Sequence, residues 1–292
     1  MSNLSARLFV LMQHVLPKHL LTAIVFRIAR IRTNSIKNFL LRRFADFYAV
    51  NIDEAKLPFP DGFGTFNDFF TRQLVAGARP VDGGADTIVS PVDGIVSAAG
   101  QLDADTILQA KGQRYSLPDL LMTDMADADR FRDGDFATIY LAPGDYHRVH
   151  SPLDLRLVTA RYVPGSLYSV NESTVSFLPR LFTRNERLIC RFDGASGPVI
   201  LIFVGALHVG SITTPWTGRM RPRSKGTVQD LDLSSQGHDR QLRKGDLLGW
   251  FNMGSTVIVL LPPDRCRLSP DLVTGKKLRM GQAIGNMRRE TA

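Results

Sequence analysis

The spacing of apolar positions changes once along the chain. Through residues 4–50 apolar side chains recur at three- and four-residue steps. Leu20, Ile24, Ile28 and Ile31 form one stripe, widened by Leu21 and Val25, with Arg27 and Arg30 on the other side. That period predicts amphipathic helices. Pro17 separates a first helix, about Leu4 to Leu16, from the second, because proline brings no N–H to a helix interior. A third stripe follows in Ile36, Phe39, Leu40, Phe44 and Phe47, with Lys37, Arg42 and Arg43 as its polar complement. Thr65 or Asn67 can cap a short helix in the aromatic run that ends at Phe70. Residues 80–84 break the chain, and a boundary is expected there: 1–80 helical, 81–292 β-rich.

Beyond Ile88 the period becomes that of strands. Short β-branched runs lie between Gly, Pro and Asp turns at 94–96, 136–141, 155–158, 187–192, 199–204 and 257–261. Residues 116–125 add one short helix. The expected class is α+β: amphipathic N-terminal helices followed by a β-rich catalytic domain. Residues 244–249 together with 90–94 look like hairpins of hammerhead or barrel-sandwich carrier folds, with no lysine at a hairpin tip.

Charge sharpens the division. Of the 36 Lys and Arg, eight fall within residues 1–45, where no Asp or Glu occurs, which leaves 36 − 8 = 28 against 28 acids in the remainder. The arm is cationic and the body neutral. A basic amphipathic arm suits an anionic membrane surface. Nucleic-acid binding is disfavoured, since basic and stacking residues would then extend over the body. No uncharged run approaches the roughly 20 residues of a bilayer span, and no secretory-signal pattern is evident. Two unpaired cysteines, Cys190 and Cys266, fit a reducing compartment. The expected location is peripheral, on the cytoplasmic face of the inner membrane.

Three stretches can carry chemistry. Asp93 lies in a tight turn, Ser90-Pro91-Val92-Asp93-Gly94. Asp145, His147 and His150 follow a strand. Gly254-Ser255 precedes the most apolar strand. Asp93, His150 and Ser255 supply an acid, a base and a hydroxyl, and order along the chain is no obstacle to their acting together. A serine beside an unhindered glycine carbonyl can attack its own backbone if a base takes its proton. Glycine can also hold a positive φ and leave that carbonyl open. Two further readings use the same residues. One is a serine hydrolase built on Asp93, His150 and Ser255, for which the Gly-x-Ser-x-Gly elbow is absent. The other is a non-catalytic peripheral membrane protein. A metal at Asp145, His147 and His150 would lack a completing ligand cluster, and no metal is expected.

Together these stretches resemble the phosphatidylserine decarboxylase proenzymes of the prokaryotic membrane-associated type. The matches include Phe66-Asn67-Asp68-Phe69-Phe70-Thr71-Arg72, Ser90 to Gly94, Lys111 to Leu117, Asp145 to Pro152, Pro164 to Asn171, Asn185-Glu186-Arg187, Val204-Gly205-Ala206 and Phe251-Asn252-Met253-Gly254-Ser255-Thr256. Met253 stands where the family usually has leucine, a near-isosteric change.

The resemblance implies a chain that cuts itself between Gly254 and Ser255. The products would be a large chain, 1–254, and a small one of 292 − 254 = 38 residues that starts with a pyruvoyl group made from Ser255. It implies no pyridoxal phosphate and no metal. Asp93 and His150 would activate Ser255, and His147 would serve recognition and decarboxylation of phosphatidylserine, with Asp145 orienting that loop. Amides near Ser166 and Gly205, with Arg184 or Arg187, are candidates for the lipid phosphate. The expected partners are the anionic membrane, the two chains of one precursor, and a second copy of the cleaved pair in a homodimer.

Overall fold

The computed structural model describes residues 3–110, 112–122, 128–195, 197–208, 210–234 and 237–288. Lys111 of the quoted motif and residues 123–125 of the expected short helix lie outside these. Three helices open the chain: α1 (Asn3–Val15), α2 (Lys18–Ile28) and α3 (Asn34–Phe47). α4 (Phe66–Phe70) begins at Thr65, whose hydroxyl accepts from the Asp68 amide at 3.1 Å.

The helices form where the period predicts, but the faces they turn inward differ from a simple apolar-inward rule. α1 buries Ala6, Val10 and Gln13 and leaves Leu11 (65 %) and Val15 (82 %) exposed. Leu20, Ile24 and Ile28 of α2 are also exposed. α3 buries Lys37, Leu41 and Ala45, while Phe39 (63 %) and Phe47 (80 %) face outward. Lys37, expected on the polar side, instead donates to the Phe63 carbonyl at 2.7 Å, which satisfies its buried ammonium. The apolar stripes of the arm are therefore largely free of the body.

The body is built on an antiparallel sheet. Its central strands are β2 (Gly94–Gln101), β5 (Asp135–Leu141), β7 (Leu155–Val163), β8 (Arg187–Gly194), β9 (Gly197–Val204) and β15 (Ser255–Leu261). Their order across the sheet is β7-β8-β9-β15-β5-β2, with β12 (Gln229–Asp230), β13 (Gln241–Leu242) and β17 (Lys277–Leu278) at the margins. The sheet is open, and no closed barrel forms among the described residues, so the carrier-fold likeness does not extend to a barrel.

β15 is buried along its whole length and flanked by β9 and β5, which explains its unbroken apolar run. Ile258→Ala in this strand is expected to lower stability by about 2–5 kcal/mol, read as a shift of the urea midpoint. A second sheet holds β6 (Arg148–His150), β10 (Ile212–Thr214), β11 (Gly218–Met220) and β14 (Leu247–Phe251); β1 (Thr87–Val89), β16 (Cys266–Leu268) and β18 (Ala283–Met287) form a third, and β3 (Thr106–Ala110) pairs with β4 (Gln113–Ser116).

Consecutive strands β14 and β15 thus belong to different sheets. Only Asn252, Met253 and Gly254 connect them.

Candidate active site

Strand register brings the sequence candidates to one end of the large sheet. Ile95 and Thr256 both pair with Tyr140, Ser255 pairs with Leu141, Thr256 with Val204, and Arg187 with Val204. One step further along each strand, Gly94, Leu141, Ser255, Gly205 and Glu186 form a row. Asp93 stands beside one end of that row. His150 is tied to the same turn, its amide donating to the Pro91 carbonyl at 2.8 Å.

The connection ahead of Ser255 is clamped and strained. The Asn252 amide nitrogen donates to the hydroxyls of Ser211 and Thr213, both at 2.9 Å, and its oxygen accepts from Asn67 of α4 at 3.0 Å. The Asn67 amide in turn donates to the Ala29 carbonyl just past α2 (2.9 Å), so the arm is linked to this connection. Met253 has φ +96°, a left-handed conformation that costs a side-chain-bearing residue on the order of 1–3 kcal/mol. The positive φ expected at Gly254 is at Met253 instead; a Cβ added to Gly254 would meet nothing within 4 Å. Neither backbone angle nor lack of space thus requires glycine at this position. Ser255 is fully buried, and its hydroxyl has no partner.

His147 is also fully buried. Its Nδ1 donates to the Asp145 carbonyl at 2.8 Å, which leaves the Nε2 lone pair without a partner. Burial, aided by the charge of Arg72, lowers its pKa to about 3, so the ring is neutral and its free nitrogen is an acceptor. Phe70 of α4 packs on the ring, with centroids 4.1 Å apart. Arg72 is buried beside it; Nη2 reaches the Gly144 carbonyl at 3.1 Å, while Nε and Nη1 have no partner.

The acid, base and hydroxyl gather but are not hydrogen-bonded to one another. Asp93 is held by Arg79 through three bonds of 2.6–3.0 Å and by the Met280 amide at 2.8 Å. Arg79 also pairs with Glu54 at 3.0 Å. A forked guanidinium is a stronger partner for a carboxylate than an imidazole. His150 donates from Nδ1 to the Gly245 carbonyl at 2.7 Å and accepts from the Tyr146 hydroxyl at Nε2, 3.0 Å. Burial lowers its pKa as well. Arg79 and Tyr146 were not singled out from the sequence, although Tyr146 lies inside the quoted histidine motif.

The phosphate candidates divide. The Ser166 amide donates to the Arg184 carbonyl at 2.8 Å and the Gly205 amide to the Glu186 carbonyl at 2.9 Å, so both amides are taken by backbone. Arg184 is exposed. Arg187 is a correction. It is buried, and its guanidinium donates to the carbonyls of Leu120, Thr183, Asn185 and Asp119 at 2.7–3.1 Å, which makes it a brace of the fold rather than an anion site.

Beside Met253 lies an apolar groove of about 600 Å³, lined by Val25 and Ala29 at α2, by Leu40 and Phe44 of α3, and by Phe66. Among the described residues no single helix is long and apolar enough to cross a membrane. The bent pair Leu4–Val15 and Lys18–Ile28, at 88°, passes that test only when taken together.

Comparison with known proteins identifies the family. A family model described as phosphatidylserine decarboxylase matches residues 66–286, and a second, described as PSD, matches residues 8–49. Curated proteins named phosphatidylserine decarboxylase proenzyme are similar over nearly their full length. The Methylococcus capsulatus protein is 42 % identical over 288 residues, 99 % of each chain. The Chromobacterium violaceum protein is 46 % identical over 285 residues, 97 % of this chain and 100 % of its own. For Azotobacter vinelandii the identity is 45 % over 279 residues, covering 96 % and 98 %. The matched span includes Asp93, His147, His150, Glu186 and Ser255, and both the family model and the full-length relatives give one answer: the chain belongs to the phosphatidylserine decarboxylase family.

Proposed function

We propose that this chain is the precursor of a decarboxylase that cuts itself at Gly254-Ser255 and then converts phosphatidylserine to phosphatidylethanolamine and CO₂ at a membrane surface. The observation that carries this is Ser255: a fully buried hydroxyl without a partner, directly after a clamped connection strained at Met253. A buried polar group left unpaired costs free energy, and function is the common reason it persists. The hydroxyl would attack the Gly254 carbonyl carbon and replace the amide with an ester. Removal of the Ser255 Cα proton with loss of the Cβ–Oγ bond would form a Cα=Cβ double bond and release the upstream chain as a carboxylate; the resulting enamine would shift to an imine, which one water would hydrolyse to the ketone and ammonia. Asp93 and His150 would take the hydroxyl proton. That role requires His150 to give up Tyr146 and Asp93 to loosen its hold on Arg79.

A pyruvoyl group fits the position, since it is smaller than the residue it derives from and is made in place. When formed, it supplies a carbonyl that accepts the electrons left behind as CO₂ departs. His147, neutral and with Nε2 free, would hold and return the proton needed at the substrate carbon.

The arm supports action at a membrane. Its helices carry Arg7, Arg27, Arg42 and Arg43, with Arg32 between α2 and α3, alongside outward-facing Leu8, Leu11 and Phe39. The apolar groove by Met253 lies between these helices and the reacting residue. Each apolar side chain that enters a bilayer contributes roughly 1.5–3 kcal/mol. The triple variant Leu8→Ser, Leu11→Ser, Phe39→Ser touches no core position. It is expected to weaken sedimentation with phosphatidylserine-containing vesicles by about 100-fold or more. Binding unchanged from wild type would refute the membrane role, and vesicles that release no CO₂ with wild-type protein would refute the activity.

A further inference from the structure

Glu186 has no part in the chemistry described so far, yet it stands in the row of strand ends that holds Ser255. The Gly205 amide donates to the Glu186 carbonyl at 2.9 Å, and Gly205 lies one step beyond the Thr256–Val204 pair. Residues directly opposite in an antiparallel sheet share a face, so the side chains of Glu186, Gly205 and Ser255 belong to one face. Gly205 contributes no side chain, and the Glu186 carboxyl fills the room. Its Oε1 lies 2.6 Å from where a Cβ of residue 205 would stand. Neighbouring strands set opposite Cβ atoms about 5 Å apart, so the carboxyl, over Gly205, lies on the strand next to Ser255 and on the same face of the sheet.

The group is almost wholly buried. Oε2 accepts from the Tyr162 hydroxyl at 2.8 Å, and Oε1 has no partner. Among the described residues no Lys or Arg side chain forms an ion pair with it. Tyr162 is kept neutral by burial and by the neighbouring carboxyl, and its oxygen accepts from the Arg223 amide at 3.1 Å. The Arg223 side chain turns away to Gln229. Arg187 projects to the opposite face, and the His19 ring of α2 is engaged by the Gly165 carbonyl. Burial pushes the Glu186 carboxyl up to about 7, opposed by the Tyr162 hydroxyl and the Arg223 backbone amide, which favour the ionised form. A buried acid with a free oxygen and no counter-charge is a receptor for an arriving cation.

We propose that Glu186 is a catalytic residue: its Oε1 receives the primary ammonium of the aminophospholipid head group beside residue 255 and takes one proton from it. This rests on the reading of Ser255 above. One N–H bond of R–NH₃⁺ breaks and one O–H bond forms on the carboxylate. The electron pair stays on nitrogen as the lone pair that a carbonyl carbon at residue 255 requires. The products are R–NH₂ and a neutral carboxyl. In water the amine, with a pKa near 10, would keep that proton from an ordinary carboxylate. In a buried site the neutral pair is favoured over the ion pair, and an acid near 7 narrows the remaining gap.

The sign of the pH dependence follows. Glu186 must be ionised to accept the proton, so kcat/KM falls as pH drops through about 7. Glu186→Gln is expected to lose 10²–10⁴-fold in kcat/KM and to lack that acid limb, while still separating into two chains on a denaturing gel. Glu186→Asp keeps the charge but draws it back. It should retain the limb at a reduced rate, which gives a second reading if the glutamine variant fails to fold. Calorimetry of the mature enzyme with short-chain phosphatidylethanolamine, in buffers of different ionisation heat, reads proton transfer without turnover. Wild type should show a proton exchange on binding that Glu186→Gln lacks, and phosphatidylcholine, which has no N–H to lose, should show none with either. Mature Glu186→Gln with near-wild-type kcat/KM and an unchanged acid limb would overturn this role. A wild-type chain that never separates would overturn the reading of Ser255 instead.

Discussion

Ser255→Ala is expected to accumulate as one uncut chain of 292 residues without decarboxylase activity, against two chains for wild type. The change removes one oxygen from a fully buried side chain that has no hydrogen-bond partner. Nothing is left unsatisfied, so the variant should fold at least as stably as wild type. Loss of cleavage could then be assigned to the nucleophile rather than to misfolding. Equal urea midpoints for the variant and an uncut wild-type sample would complete that assignment. Cleavage that persists in Ser255→Ala would remove this hydroxyl from the reaction.

His147→Gln is expected to separate the two stages. The variant should still cut itself, because Asp93 and His150 serve that step, but decarboxylation should fall by about 10²–10⁴-fold. The reason is the free Nε2 at the centre of a buried ring. Glutamine fills much of the space and can hydrogen-bond, but it cannot carry a proton back and forth near neutral pH. Because burial lowers the ring to about 3, the resting histidine contributes no limb to the rate profile near pH 7. A limb found there belongs to Glu186. A gel and a CO₂ assay on the same preparation read both stages, and full activity in His147→Gln would exclude it from proton transfer.

Much of the fold could be read from periodicity. The three helices of the arm and the central strands lie where apolar spacing placed them, since those spacings are the direct trace of one-sided burial. Periodicity marks a stripe without saying what covers it, however. Leu20, Ile24 and Ile28 form the stripe of α2 and stay exposed, while Lys37 turns inward because a single carbonyl at Phe63 can satisfy it. The site was legible as a set of residue types and less so as a network. Arg79 holds Asp93 and Tyr146 caps His150, and such partnerships are decided by pairing across the fold. Arg187 looked like an anion ligand beside Asn185 until its guanidinium proved to be bound to backbone carbonyls. Glu186 sat in the same motif without a role, because its proximity to Ser255 requires the strand register and an empty position at Gly205.

The central claim concerns one bond, and intact mass spectrometry of freshly purified wild-type protein tests it most directly. The expected result is two chains, residues 1–254 and 255–292, the smaller lighter by one ammonia than a serine-initiated peptide and blocked to N-terminal sequencing because it has no α-amine. A single active chain carrying an unmodified serine at position 255 would contradict the account.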